Sequence, residues 1–85
     1  MAPRRTYWDQ PLIHRIRPAD GPLDELVTLR DAAEFATTLE PWRQKRPHWQ
    51  YAGRLLLQAG TSGNPRDIEA ATMQMRRALR AEGWL

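Results

Sequence analysis

Eighty-five residues suffice for one domain and are too few for two, and a chain this short buries little of its unfolded surface. The absence of cysteine excludes disulfides, thiolate metal sites and thiol nucleophiles, so stability must come from the core, helped by any self-association. Twelve Arg, one Lys and ten acidic residues leave a net charge of +3, which permits an acidic protein or a nucleic acid as partner without choosing between them. The opening MAPRRTYW has no apolar run of the signal-peptide kind, and Leu55–Leu57, the longest Leu run, is far short of a membrane span. A cytoplasmic location with no membrane contact is the expectation.

Residues 1–9 read as a basic arm ending in Tyr7 and Trp8, with Arg4 and Arg5 able to touch phosphates or simply to fray. Residues 10–85 read as a single α+β domain. Leu12–Arg17 alternates as a strand, with Leu12, His14 and Ile16 on one face. Pro18–Pro22 is dense turn punctuation, and Leu23–Thr28 offers a second short strand, most simply paired as an antiparallel hairpin. Two strands alone are marginal in water, so one face must lie on helices.

Thr28 can cap a first helix and Asp31 can answer from the third helical position. Leu29, Ala32, Ala33, Ala36 and Leu39 form its apolar stripe with Phe35 at the edge, and Pro41 stops it near Leu39. Glu40–Pro47 then reads as a loop. Pro47–Gly60 predicts the central helix: Trp49, Ala52, Gly53, Leu56, Ala59 and Gly60 share one face, flanked by Leu55 and Leu57. Apolar coverage that wide implies packing on more than one side, and Gly53 among small residues implies close approach by another backbone. Gly60–Asn64 reads as a turn. Asn64-Pro65 opens the last helix, Asp67 suits its first turn, and Ile68, Ala71, Met75, Ala78 and Leu79 make its buried stripe.

The resulting expectation is a hairpin packed on three helices with the central helix sandwiched. The alternative is an all-helical domain with an irregular N-terminal segment. The order of elements, carried by Trp8–Ile16, Val27–Leu39, Pro41-Trp42, the spacing of Ala52, Leu56 and Gly60, and Ala71–Ala78, resembles the small alphaproteobacterial domain-of-unknown-function family 982. The chain departs from that family in carrying Pro41-Trp42 for Trp-Pro, no Cys in the central helix, and Met75 for an aromatic. The resemblance implies a fold and no activity, because the family has none established.

Catalysis finds little support. His14 and His48 have no carboxylate at a spacing that would orient them, Asp24 and Glu25 point to opposite faces of a strand, and Gly60–Gly63 lacks the Lys-Ser/Thr of a phosphate loop. No metal-ligand spacing occurs, and no cofactor is expected. Binding is the better reading. Arg76, Arg77 and Arg80 share a helix face with Met73, while Arg43, Lys45 and Arg46 crowd the loop beside Trp42. Cations interleaved with aromatics suit phosphates and bases, but Asp67 and Glu69 would repel a phosphate from the start of the last helix, where recognition helices read bases. Trp8, Trp42 and their neighbouring Arg suit a protein interface, with another protein or a second copy of the chain, since Trp and Arg most often anchor such surfaces. Trp49 and Trp84 read as core.

Gly83 is placed as the left-handed stop of the last helix, with Trp84 folding back onto Leu79. Gly83→Val is expected to lower stability by about 1–2 kcal/mol and to expose the Trp84 indole. Equilibrium denaturation followed by Trp fluorescence measures both, and an unchanged midpoint would remove the capping role.

Overall fold

The structure, a computed structural model, describes residues 5–85. Its elements run β1 (Pro11–Ile16), β2 (Leu26–Thr28), α1 (Leu29–Thr37), α2 (Pro41–Gln44), α3 (Pro47–Ser62) and α4 (Pro65–Ala81). The class is α+β, with an antiparallel two-stranded hairpin leading into the helices.

The second strand is shorter than its sequence suggests. Pro11 opposes Thr28 and Ile16 opposes Leu26, so β1 carries extra residues between the two pairs and bulges. The bulge breaks the alternation: Leu12 and Ile16 are buried, but His14 faces out. It also removes the Ile13 amide from the ladder. That amide donates instead to Oγ1 of Thr72 on α4 (3.2 Å), and the fully buried Thr72 hydroxyl donates to the Ile68 carbonyl (2.8 Å). One threonine thereby satisfies the bulge and fixes β1 on α4.

Local signals hold at the start of α1 and at both ends of α4. Thr28 Oγ1 accepts from the Asp31 amide (3.1 Å), and Asp31 Oδ2 accepts from the amides of Thr28 (3.1 Å) and Val27 (2.8 Å), a complete capping box. Asn64 Oδ1 accepts from the Arg66 amide, with Pro65 at the first helical position. At the other end of α4 the Gly83 amide donates to Arg80, the Trp84 amide donates to Leu79, and Gly83 takes φ +77°. This is the Schellman arrangement expected from the sequence.

Two boundaries moved. The Glu40–Pro47 stretch is not an open loop: Pro41 starts the short α2, whose Gln44 amide group donates to the Thr37 and Leu39 carbonyls left over at the end of α1. Helix α3 runs on to Ser62 and stops at Gly63 in the left-handed region (φ +66°).

Helix α3 packs against α1 on one side and α4 on the other, as its wide apolar face requires. The core centres on Phe35, fully buried rather than at an edge, with its ring 5.9 Å from Trp49 and edge-on to Trp84 at 6.2 Å. Gly53 does not serve close packing; nothing lies within 4 Å of where its Cβ would stand. Gly60 does. A Cβ there would sit 2.5 Å from the Trp8 ring, which lies flat on the helix at that point. The end of the basic arm is therefore part of the fold: the Tyr7 amide donates to the Gly60 carbonyl (2.8 Å) and the Arg30 amide donates to the Trp8 carbonyl (2.9 Å). Arg4 lies outside the described residues.

The two glycines make opposite predictions. Gly60→Ala should destabilise by about 1–3 kcal/mol, because Trp8 cannot move aside without leaving the core. Gly53→Ala should stabilise by about 0.5–1 kcal/mol by restricting the unfolded chain at no steric cost. Urea midpoints of the two variants check the pair, and the assignment is wrong if their order is reversed.

Candidate functional site

The densest polar cluster gathers on Glu82, a residue whose side chain is only 2 % exposed. Glu82 closes the C-terminal end of α4, where the helix dipole disfavours an anion. What holds it there comes from α2 and α3. Arg46 Nη1 donates to Oε1 (3.0 Å) and Oε2 (3.2 Å), Trp49 Nε1 donates to Oε2 (2.9 Å), and Arg43 Nη1 donates to Oε1. His48 Nε2 lies 2.8 Å from Oε2, and since an ionised carboxylate only accepts, that nitrogen carries the hydrogen. Behind it, Gln74 Nε2 donates to the His48 carbonyl (3.2 Å). Burial alone would push the Glu82 carboxyl up. The hydrogen bonds from His48 and Trp49 and the charges of Arg43 and Arg46 outweigh it and bring the group down to about 2.

Two indole rings frame the cluster. The Arg43 guanidinium lies 4.3 Å from the Trp42 ring centre and 4.6 Å from that of Trp84, and Arg46 lies 4.9 Å from Trp42. Arg43 also donates from Nε to Glu40 Oε2 (3.0 Å). Chemically this is a closed arrangement. Every lone-pair direction of Glu82 is occupied and its carboxylate is a very weak base near neutral pH. The cluster ties the end of α4 to the start of α3; it offers no open acceptor to a substrate.

The fate of the other sequence candidates follows. Trp8 is half-buried against Gly60, and Arg43 and Arg46 are engaged with Glu82, so these three are used within the fold. Trp42 remains 53 % exposed, but with two guanidinium groups stacked on its ring. Lys45 is exposed with no ion pair among the described residues.

Met73, Arg76, Arg77 and Arg80 do come together on the outward side of α4, and the structure adds Arg66 to them at the helical spacing 66, 70, 73, 77 and 80. Met73 is 38 % exposed and stands between two shallow depressions. One is the groove between α3 and α4, where Tyr51 and Leu55 face Arg66, Met73 and Arg77. The other lies towards β1, where His14 joins Met73, Arg76 and Arg80. None of the four arginines forms an ion pair among the described residues, and Glu69 is the one acidic side chain lining either depression.

Among the described residues no three His, Asp or Glu side chains stand together as metal ligands would, and no helix is long and apolar enough to cross a membrane. No family model, curated protein or solved structure matches this chain, so the likeness to family 982 rests on the residues quoted for it.

Glu82 has a readable signature in solution. Its carboxyl titrates near 4.5 when free and near 2 in the fold, so the folded state favours the ionised form. The stability this confers is complete above the unfolded value and is lost as pH falls from about 5 through 2, in total about 3 kcal/mol. Glu82→Gln should cost a similar amount at pH 7, by leaving Arg46 without its counter-charge and Arg43 with Glu40 alone, and should flatten this part of the acid limb. Denaturant unfolding from pH 7 to pH 2 tests both, and an acid limb unchanged by the substitution would discount the cluster.

Proposed function

We propose that this protein is a non-enzymatic interaction module of the cytoplasm that binds another protein through the outward side of α4. One observation carries the reading: Met73 lies exposed among Arg66, Arg76, Arg77 and Arg80, none of which forms an ion pair among the described residues, whereas Arg43 and Arg46 beside Trp42 are already committed to Glu82. Exposed Met, Tyr and Arg together are the composition of a protein interface core and its rim. The partner is acidic. A second copy set face to face on α4 would bring like charges together, which argues against a homodimer through this side.

Nucleic acid is the rival. A phosphate-tracking surface places cations along its length, but here the apolar Leu55 and Met73 and the acidic Glu69 line the groove with them. Those residues favour a protein with its own apolar contact over a polyanion backbone.

A photo-crosslinking benzoylphenylalanine in place of Tyr51, 46 % exposed in the groove, tests the reading in the native host cell, with the same group at the 62 % exposed Leu57 as control. Discrete protein adducts at position 51 and none at 57 are expected. Adducts that vanish on nuclease treatment would establish the rival, adducts at twice the 9.9 kDa mass would establish self-association, and equal labelling at both positions would remove the site.

A further inference from the structure

We infer that the partner presents an acidic amphipathic helix, laid along the groove between α3 and α4. The inference rests on the protein-binding reading above and adds the chemistry of what docks. The groove is lined by the apolar side chains of Leu55, Ala70 and Met73, with Tyr51 on the α3 side and Arg66 and Arg77 on the α4 side. From Arg66 to Arg77, the span of α4 that lines the groove, the helix advances about 16 Å, the length of about three helical turns. An extended strand laid there would need its amides satisfied by an open sheet edge, and both sides of this groove are helices whose amides are already bonded. A helix brings its own hydrogen bonds satisfied and offers apolar side chains every three or four residues to a floor of matching period.

Charge sets the direction of the match. At the start of the groove Glu69 offsets Arg66, whereas at the far end Arg77 stands in the groove and Arg76 and Arg80 lie just over the Met73 ridge. The docked helix therefore carries its carboxylates at the end lying over Arg77 and its apolar residues against Met73. The same polarity excludes this chain as its own ligand, since none of its described helices combines an acidic outward face with exposed apolar residues.

The probe is a fluorescent, end-capped peptide of about 15 residues, with Leu at positions i, i+4, i+7 and i+11 and Glu on the adjoining positions of one half. Its anisotropy is titrated with the full chain beside three controls: the same residues reordered to a two-residue period, a Glu→Lys version, and a random DNA duplex. The patterned peptide should bind at least about tenfold tighter than each control, weaken about tenfold between low and high salt, and lose about tenfold to Arg77→Glu. Arg77 is exposed, so circular dichroism should show that variant folded, and a peptide with Lys at the facing Glu positions should recover its affinity for Arg77→Glu.

Equal binding of the reordered peptide reduces the surface to bulk charge and overturns the helix. Tighter binding of the duplex overturns the protein partner itself. If the peptide fails while benzoylphenylalanine at position 51 still captures protein, the docking site stands and the helix does not; if both fail, both are wrong.

Discussion

The Glu82 carboxylate stands at the negative end of the α4 dipole, and the donors that hold it there belong to residues 33 to 39 positions earlier in the chain. An anion in that position, nearly removed from water, is unfavourable until its charge is answered from outside its own helix. Arg43, Arg46, His48 and Trp49 supply that answer from α2 and the first turn of α3. The consequence is a closed circuit: the last turn of α4 cannot leave without unpairing two arginines, and α2 cannot unravel without exposing Glu82. In a domain this small, where burial alone leaves thin margins, such a tie links regions that the apolar core joins only on its other side.

Aromatic packing extends the same circuit. Trp84, positioned by the Gly83 turn, presents one ring both to the Arg43 guanidinium and to the edge of Phe35, so the polar cluster and the core share a wall. At the far end of α3, Trp8 occupies the space over Gly60 and the Tyr7 ring lies over Gly63. Helix α3 is thus pinned at its start by Glu82 and at its finish by the incoming N-terminal segment. The middle of its outer face, around Gly53, is left open.

That division of labour explains why the basic surface is not uniform. Arg43 and Arg46 near Trp42 are absorbed into the fold, since α2 and the start of α3 place them against the buried carboxylate and over indole rings. Cations on α4 fall opposite the core stripe of Ile68, Ala71, Met75 and Leu79 and form no ion pair there among the described residues. Arginine count alone does not separate the two groups. What separates them is which face of which helix they occupy and what lies across from it.

Caps, breakers and period were legible in the linear chain because each acts within one or two turns. Thr28 with Asp31, Asn64-Pro65 and Gly83-Trp84 marked their helix ends correctly, and the stripe from Ile68 to Leu79 followed from the 3.6-residue repeat. Of the site, the grouping of Met73 with Arg76, Arg77 and Arg80 was legible for the same reason. Pairings across the chain were not. Whether Gly53 or Gly60 was the close-packed glycine depended on where Trp8 returned, and His48 gained a carboxylate only when α4 brought Glu82 to it. A trace of the latter was present, in an acidic residue set against the dipole at the last turn of α4, but no local rule says which donors will meet it. Helices α1, α3 and α4, their capped ends and most of their apolar stripes were readable along the chain, because those depend on neighbours a few residues away, whereas α2 stood where a loop was expected. Which arginines pair within the fold and which stay unpaired on α4 was settled by packing alone, because that depends on charges brought together from distant segments.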